Sequence, residues 1–420
     1  MSRGGLGPSF WRLFVSSATS NLADGIGRTA LPLLAASLTR DPLLISGLVT
    51  LAFLPWLLFA LLSGVLVDRV DRRKAMAAAN IFRALVVAAL GVAVLVDAAG
   101  IVALYVAAFL LGAAETVYDS AARAMLPAVV NRAQLDRGNS LLVTEEMVGQ
   151  TFLGAPIGAL LFAMLAAAPL LGNAVIFVVA AVLILTVRAR LPQPRTQRST
   201  IRADVRTGLQ WLQAHRLLRG LMLVTTAICG IGAMAEAVLV LYVLEDLDVP
   251  SAGFGLFLVA FGIGGLLGGA VAGWLGRRLG RIASMVVSNG LGGAAYLVLG
   301  VFAQPVLAAV LFGVYGLTVI VWNVLSMSLR QALIPPELFG RVQGAWRTLV
   351  WGVIPVGSLL GGLLASLTSV RTVFAVSGIL QLLSAAAVLV VLRPHRDELA
   401  AAFAADAGAA AELSEVSRQP

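Results

Sequence analysis

The sequence predicts an all-α membrane protein whose twelve transmembrane helices form two pseudo-symmetric six-helix bundles. Hydrophobic residues make up 60% of the 420-residue chain and charged residues only 12%, whereas soluble domains carry about 25% charged residues. Long apolar runs alternate with short turns in which the arginines concentrate. The second half of the chain repeats the spacing of landmarks in the first half, which is typical of a duplicated membrane bundle.

The turn at residues 64–74, with the sequence GVLVDRVDRRK, is the strongest single signal. Six of the seven residues 68–74 are charged, and apolar runs lie on both sides. An α-helix rises about 1.5 Å per residue and crosses the hydrocarbon of a bilayer in about 20 residues, so both runs can span. Because Arg and Lys accumulate in cytoplasmic loops, we expect this turn on the cytoplasmic side.

Twelve runs of sufficient length follow one another along the chain. Span 1 is the most polar because it carries Asn21, Asp24 and Arg28, and spans 5 and 6 share one uncharged run that Pro169 divides. The predicted spans are residues 10–38, 43–67, 75–96, 101–126, two within 147–187, then 217–244, 253–276, 282–303, 305–333, 342–367 and 372–392.

The charge pattern divides the chain into four parts. Residues 1–190 are expected to form the N-terminal bundle, 191–216 an arginine-rich cytoplasmic linker, 217–392 the C-terminal bundle and 393–420 a cytoplasmic tail. The arginine-rich turns fall on one side and the turns with Asp97 and Asp246 on the other, so both termini are expected to be cytoplasmic. The expected location is the plasma membrane, and we expect a monomer.

A repeat supports the two bundles. Pro127, at the end of span 4, returns 209 residues later as Pro336 after span 10. The sequence PIG at 156–158 in span 5 returns as PVG at 355–357 in span 11, an offset of 199 residues. Two parallel six-span halves are the simplest explanation.

The charged turn resembles the signature between spans 2 and 3 of the major facilitator superfamily. That pattern reads Gly-x-Leu-Ala-Asp-Arg-x-Gly-Arg-Arg/Lys, and Asp71 stands here in place of its second glycine. An acid at that place, and the span 1 sequence SNLADGIGRTALPLL, are similar to the branch that includes macrolide-efflux proteins and the enterobactin exporter. The matching residues are Gly64, Leu66, Asp68, Arg69, Arg72 and Arg73.

The resemblance implies a cytoplasmic gate that locks the two halves together. Asp68 is placed to accept hydrogen bonds from a helix N-terminus, and Arg72 lies within reach of Asp68 or of an acid low in span 4. The alternative is that these charges only set the topology. The expected gate residues are Gly64, Asp68, Arg69, Arg72, Arg73, Asp119 and Arg123.

Span 5 carries a degenerate form of the family's antiporter motif, Gly-x-x-x-Gly-Pro-x-x-Gly-Gly. The matching residues are Gly149, Gly154, Pro156 and Gly158, with altered spacing. Span 4 also lacks the early arginine that many proton-coupled drug exporters carry, so the sequence does not reproduce their coupling scheme.

Ionisable residues inside the spans are the candidates for coupling or substrate binding, because each costs about 2.5–3.5 kcal/mol at mid-membrane. Asp24 and Arg28 share one face of span 1 and could simply neutralise each other. Glu115 lies deep in span 4, on one face with Asp119 and Arg123. Glu236 is the only ionisable residue between residues 220 and 244, and it is the best single candidate.

Further polar and aromatic residues are open to two interpretations. Glu145 and Glu146 start the predicted span 5, where an interfacial position is as reasonable as a functional one. Arg83 and Arg347 are expected to be gate or anchor residues. Aromatic residues in spans usually serve packing, but four residues are candidates for a cavity wall, namely Tyr118, Trp322, Asn323 and Trp346.

The leading functional hypothesis is a proton-coupled exporter, an antiporter of small amphipathic molecules such as drugs or siderophores, working by alternating access. The alternative is a proton-coupled uptake symporter of a small solute. We expect no enzyme, no metal and no cofactor, because the chain has one cysteine, Cys229, and two histidines, and the spans hold no Ser-His-acid set. The expected partners are substrate, protons and lipid, not nucleic acid.

Overall fold

The computed structural model describes residues 6–131, 134–188 and 201–396, except for the side chains of residues 60–66, 68–69, 201–207 and 336. Within these ranges the chain is helical, with no β-strand. Proline in the first turn begins spans 1, 2, 6, 10 and 11, where its missing N–H costs no hydrogen bond.

The helices follow the predicted order of spans. Spans 1–6 are Pro8–Leu38, Pro42–Arg69, Arg72–Leu95, Ile101–Val129, Leu135–Met164 and Ala168–Leu185. A linker helix, Ile201–Ala214, precedes span 7, which runs over Arg216–Ala237 and, after a break at Val238, over Leu239–Leu241 and Tyr242–Asp246. Spans 8–12 are Ser251–Arg278, Arg281–Val301, Pro305–Leu333, Pro336–Gly352 with Ile354–Leu367, and Val370–Leu392.

Eleven of the described helices are long and apolar enough to cross a membrane. Span 1 is the twelfth: it has 31 residues, about 46 Å at 1.5 Å per residue, but its polar residues lower its hydropathy. These polar residues are largely buried against other helices. Ser16 and Ser20, for example, are fully shielded, so the polarity of span 1 faces the protein interior.

Span 5 begins at Leu135 and not at Met147 as the sequence predicted. Residues 135–146 contain Asp136, Arg137, Glu145 and Glu146, which made this stretch look like a loop. The first turns nevertheless pack well, because Gly138 lies against Leu126. The charged residues at 136 and 137 point outward, so the helix forms without burying them.

The two halves repeat one pattern of helix packing. In the N-terminal half span 2 packs on span 4, span 3 on spans 4 and 6, and span 1 on spans 5 and 6. In the C-terminal half span 8 packs on span 10, span 9 on spans 10 and 12, and span 7 on spans 11 and 12. The halves meet where span 2 packs on span 11 and span 5 on span 8. The predicted parallel repeat is therefore a property of the fold; the predicted domain boundaries stay predictions.

Equivalent glycines make equivalent close contacts. A Cβ on Gly158 would collide with the carbonyl of Ile26 in span 1, and a Cβ on Gly357 would collide with the carbonyl of Gly230 in span 7. Both glycines belong to the repeated PIG and PVG sequences. Both copies of the repeat therefore have glycine at a position where two helix backbones approach too closely for any side chain.

The apolar core is continuous at one end of the molecule and divided at the other. We call the end that holds the turn at 70–71 and the linker helix the basic end, and the opposite end the far end. At the far end one cluster joins both halves, with Leu34 and Ile45 in the same core as Leu241 and Phe254. At the basic end the two halves have separate clusters. The halves are therefore joined more closely at the far end.

Candidate functional site

A cavity of about 320 Å³ lies inside the C-terminal half. Spans 7–12 all contribute to its wall, which is mainly aromatic and aliphatic with a few amide and hydroxyl groups. The polar and aromatic lining residues are Thr225, Cys229, Glu236, Phe257, Phe261, Asn289, Tyr296, Phe312, Tyr315, Thr318, Trp322, Asn323, Trp351 and Gln381. A concave apolar site with few polar groups is the usual form of a small-molecule site.

Glu236 is the only acidic residue in this wall. It lies one residue before the end of the first helix of span 7, and its side chain is exposed to the cavity although its neighbours on both sides are buried. No ion pair to Glu236 occurs in the described part of the chain. The exposed Arg28 of span 1 is the basic residue that acts electrostatically on it, so the sequence candidate Glu236 has a cavity position without a salt-bridge partner.

Two stacked tyrosines form the wall beside this carboxyl. The rings of Tyr296 and Tyr315 are 4.1 Å apart, centroid to centroid. Asn289, on the same helix as Tyr296, donates from its Nδ2 to the Ser384 hydroxyl at 2.8 Å. Its Oδ1 is buried without a hydrogen bond in the described structure. The wall that contains Glu236 therefore also has an aromatic ring surface and an amide oxygen without a hydrogen bond in the described structure.

Of the aromatic and amide residues that the sequence suggested for a cavity wall, Trp322 and Asn323 line it. Tyr118 and Trp346 are not among the lining residues of this cavity. Both instead pack on arginines, the buried Arg83 and the half-buried Arg330, whose guanidinium carbons each lie 4.5 Å from the ring centroid.

Among the described charged residues of the N-terminal half, Arg83 of span 3 is the most completely buried. Its Nη1 lies 2.8 Å from Oδ1 of Asp24 in span 1, and its side chain is only 2% exposed. Phe177 packs on the guanidinium at 4.5 Å from the ring centroid, opposite Tyr118. Burial of a guanidinium is costly unless it is paired and hydrogen-bonded, and Ser20 and Asn80 supply further acceptors.

This ion pair corrects the prediction that Asp24 and Arg28 could neutralise each other. Arg28 is exposed, whereas Asp24 bonds to Arg83. The sequence placed Arg83 as a gate or anchor near the end of span 3, and the anchoring part of that interpretation fits its burial. The signal in the sequence is that span 3 has a single arginine inside an otherwise uncharged run, residues 75–96.

A second group of charged residues, which includes Asp119 of span 4, lies at the interface between the halves. Oδ2 of Asp119 lies 3.1 Å from Arg123 on the same helix and 4.0 Å from Arg347 of span 11. The guanidinium of Arg347 packs on two tryptophans that contact each other edge to face, 4.9 Å from the ring centroid of Trp56 and 4.2 Å from that of Trp351. Arg347 therefore contacts both halves next to the cavity that Trp351 lines.

Glu115, the deep candidate of span 4, is partly buried in the N-terminal half. No ion pair to Glu115 is present within the described ranges. Asp24, Asp119, Arg28 and Arg83 act on it electrostatically, so it belongs to the same group of charges. The sequence thus identified residues that the fold brings together, but it did not identify which of them pair.

The signature turn has a simple local structure. Span 2 ends at Arg69 and span 3 begins at Arg72, with Asp71 as its N-cap. The Asp71 carboxylate accepts the backbone N–H of Arg73 at 2.9 Å and the Arg73 guanidinium at 2.7 Å. These bonds hold the pKa of Asp71 below its usual value, with the Arg73 side chain as the main cause. Asp therefore replaces the family's glycine with a capping residue.

The two described arginines of the signature bind carbonyls of their own half. Arg72 donates to the Ala124 carbonyl at 2.9 Å, and Arg73 to the Val187 carbonyl at 2.9 Å. The sequence placed Arg72 within reach of Asp68 or of an acid low in span 4. In the described structure Arg72 pairs with no acid of span 4, and the Asp68 side chain lies outside the described residues. Gly64 lies within span 2. The structure does not describe the surroundings of residue 64 or the side chains of the predicted gate residues Asp68 and Arg69.

The antiporter-like motif lies in a π-helical turn, Val148–Gly154, and in the turn after it. A Cβ on Gly154 would lie 2.7 Å from the Cα of Gly25, and a Cβ on Gly149 would lie 3.3 Å from the backbone of Leu22. Pro156 follows in the first turn of the next helical segment. The motif glycines therefore let spans 1 and 5 pack backbone against backbone.

In the described part of the chain, twelve spans form two repeated halves, with a ligand-sized cavity and charged residues inside the spans. This combination is that of a membrane transport protein. The family model described as the Major Facilitator Superfamily matches residues 13–356 and 221–420, and the chain belongs to this family. It is thus a multi-pass cell membrane protein that transports a small molecule. The members of this family are transporters and not enzymes.

Two relatives extend over nearly the whole chain. The "Multidrug efflux pump Tap" of Mycolicibacterium fortuitum is 29% identical over 382 residues, covering 88% of this chain and 91% of that protein. The "Enterobactin exporter EntS" of Shigella boydii serotype 4 (strain Sb227) is 27% identical over 401 residues, covering 93% and 94%. The chain therefore spans the length of both relatives.

Solved structures confirm the fold. A mutant of the nucleoside transporter NupG superposes with a TM-score of 0.78 at 12% identity, covering 91% of this chain and 99% of that one. A bacterial homologue of the iron transporter ferroportin in an inward-facing state superposes with a TM-score of 0.74 at 17% identity, covering 92% and 99%. At these identities the likeness concerns the fold alone.

Proposed function

We propose that this transporter is a proton-coupled exporter of small amphipathic molecules, such as drugs or siderophores. The observation that carries the proposal is Glu236, one carboxyl group opening into an aromatic cavity with no ion-pair partner in the described structure. Such a carboxyl group can bind a proton or interact with substrate, and competition between the two is what antiport requires. A carboxylate at this depth is costly, which is why such residues usually serve function.

The direction of transport is argued from the relatives. Both are named for export, one of several drugs and one of enterobactin. The aromatic wall around Glu236 suits molecules with large apolar surfaces. An uptake symporter on the same fold is the alternative, and the two differ in the direction in which protons move.

Alternating access is supported by the division of the core. The halves share one apolar cluster at the far end and keep separate clusters at the basic end. This is the arrangement expected of a conformation that opens toward the basic end. The reverse conformation would require the far-end contacts to part and the basic end to close.

We assign the charged turn to closure of the basic end. The proposed gate consists of the signature residues together with Asp119 and Arg123, and Arg347 is the C-terminal residue that approaches Asp119 in the present conformation. Asp24, Arg28 and Glu115 are proposed to act with Glu236 in coupling. The antiporter-like glycines are proposed to let span 5 move against span 1.

The basic end is proposed to be cytoplasmic, with both termini on that side, because positively charged loops stay in the cytoplasm. A reporter enzyme fused after Asp97 or Asp246 should be active only if these turns lie outside. A reporter at either site that behaves as cytosolic would contradict this topology. Each chain carries both halves, so a monomer is proposed as the working unit; its mass in nanodiscs tests this.

The test of antiport uses proteoliposomes that contain a pH-sensitive dye. Candidate substrates are added to liposomes with the wild type, Glu236→Gln, Glu115→Gln and, as a control, Glu337→Gln, which alters an exposed acid at the start of span 11. We expect proton movement opposite to substrate in the wild type and the control, and its loss in Glu236→Gln. Unchanged proton movement in both Glu236→Gln and Glu115→Gln would remove these coupling assignments, and proton movement with substrate would favour the symporter.

A further inference from the structure

Glu145 is a buried acid of the N-terminal half. It lies ten residues into span 5, inside the helix and not at its start, and the residue is only 6% exposed. Glu146, the next residue on the same helix, is exposed. The two adjacent acids therefore differ in exposure, Glu145 being buried and Glu146 accessible.

Two polar residues of span 1, Asn21 and Ser17, interact with the Glu145 carboxyl. Nδ2 of Asn21 in span 1 donates to Oε1 of Glu145 at 3.1 Å, and the same Asn21 accepts at Oδ1 from Nε2 of Gln150 at 3.0 Å. The Ser17 hydroxyl is the third polar neighbour, 3.4 Å from Nδ2 of Asn21. Because Asn21 accepts from Gln150 at its oxygen, its nitrogen must face Glu145.

Among the residues whose side chains the structure describes, no cation pairs with Glu145. Its Oε2 is buried and accepts no hydrogen bond within the described residues. On its own helix the neighbouring ionisable group is another acid, Glu146. The ionisable residues of spans 1 and 4 that act electrostatically here act on Glu146, and they are Asp24, Arg28, Asp119 and Arg123. No ion pair links any of these to Glu145 in the described structure. Because an unpaired buried carboxylate is costly, a proton on Oε2 is the favoured state here.

The hydrogen-bonded chain continues to the contact between the two halves. Gln150 lies in the π-helical turn Val148–Gly154, whose backbone touches Gly25 of span 1. The next residues, Thr151 and Phe152, pack against Gly262 of span 8 in the C-terminal half. A change at Glu145 can therefore reach the interface between the halves through Asn21 and this turn.

We propose that Glu145 is a second proton-binding residue, whose loss or gain of a proton moves the π-helical turn of span 5 relative to span 8. The inference rests on the proposed proton coupling and adds to it a residue outside the cavity. Ionised Glu145 would need water or a cation, which the present contacts exclude, so deprotonation favours separation of spans 1 and 5. Protonation restores the contacts with Asn21.

The test reads the movement directly and does not require transport. Spin labels are placed at Leu153 and Leu266, exposed positions of spans 5 and 8, in a Cys229→Ser background, and the distance between them is measured from acid to alkaline pH in nanodiscs. We expect a pH-dependent shift in the otherwise unchanged protein. Glu145→Gln, which mimics the protonated acid, should keep the acid-side distance at every pH, and Glu146→Gln should keep the shift.

The outcomes separate this inference from the proposed function. A shift that persists in Glu145→Gln, or that is absent before substitution, overturns the inference whatever the proton movement in liposomes shows. A different outcome would remove antiport only. If substrate drives no proton movement, but the wild type shows the pH-dependent distance shift and Glu145→Gln does not, then Glu145 is still a proton-binding residue. If Glu145→Gln does not fold, Asn21→Ser, which removes the bridging amide and keeps the acid, should also abolish the shift.

Discussion

The guanidinium of Arg83 lies 2.8 Å from the carboxylate of Asp24, and their side chains are 2% and 15% exposed. Arg123 and Asp119 form a pair of the same chemistry at 3.1 Å, with side chains 58% and 34% exposed. The first pair joins spans 1 and 3, whereas the second lies within span 4. The chain thus contains a buried pair and an exposed pair that can be compared directly.

Substitution of Arg83 by Gln should destabilise the protein by about 3–5 kcal/mol, because it leaves a buried charge without its partner. Arg123→Gln, the matched control, should cost about 1 kcal/mol or less. Thermal unfolding in detergent, followed by tryptophan fluorescence, measures both. The double variant Asp24→Asn/Arg83→Gln should recover part of the loss, and equal effects of Arg83→Gln and Arg123→Gln would contradict the importance of burial.

Substitution of Arg347 by Ala should loosen the contact between the halves beside the cavity. Its two tryptophan contacts are each worth about 0.5–2 kcal/mol, and Trp56 belongs to the other half. Cys229, the only cysteine of the chain, lines the same cavity as Trp351 and reports access through its reaction with a maleimide. Faster labelling is expected.

The control for Arg347 is Arg330, which packs on Trp346 within the C-terminal half. Arg330→Ala removes a contact of the same kind without affecting the contact between halves. Its rate of Cys229 labelling should therefore stay close to that of the wild type. If both alanine variants accelerate labelling equally, Arg347 has no special role at the interface.

Gly357→Ala should destabilise the protein by about 1–3 kcal/mol, the usual cost of overpacking, because its Cβ would meet the backbone of Gly230. Gly344 lies in the same span, and a Cβ added there would have no atom within 4 Å. Gly344→Ala should be neutral or stabilising by up to about 1 kcal/mol. Thermal unfolding compares the two variants. If Gly344→Ala were the less stable of the two, spans 7 and 11 could separate without a loss of stability.

Asp71→Ala should cost about 1 kcal/mol through loss of the N-cap, whereas Asp71→Gly, the residue of the family signature, should cost only a few tenths. Since Arg73 lowers the pKa of Asp71, the carboxylate cap is complete at neutral pH and is lost only as pH falls through that lowered value. Stability measured at neutral and acid pH checks both points. A large effect of Asp71→Gly would assign the side chain a role beyond capping.

Much of the fold follows from the sequence because bilayer thickness fixes the length of each apolar run. The twelve spans were predicted on this ground, whereas the parallel repeat was predicted from sequence landmarks that recur at regular offsets. Residue Glu236 could be singled out because a lone acid in a long apolar run has few structural explanations.

The pairing of residues could not be predicted in the same way. Asp24 has Arg28 on its own helix face, but Arg83, 59 positions away, bonds to it because spans 1 and 3 both pack on span 6 and the Arg83 side chain is long enough to reach span 1. The predicted start of span 5 was wrong because the charged residues 136 and 137, which face outward, are typical of a loop in a membrane protein. That misplacement hid the depth of Glu145, which only the packing of span 5 on span 1 reveals.

The apolar cluster that joins the two halves at the far end also bears on how the chain could be assembled. Leu34 and Ile45 from the first half pack in one core with Leu241 and Phe254 from the second, so either half produced alone would leave this surface uncovered. Two polypeptides, divided within residues 190–200, should accumulate poorly when made singly. Made together, they should recover one another's yield and co-purify, since the missing peptide bond contributes nothing to that contact.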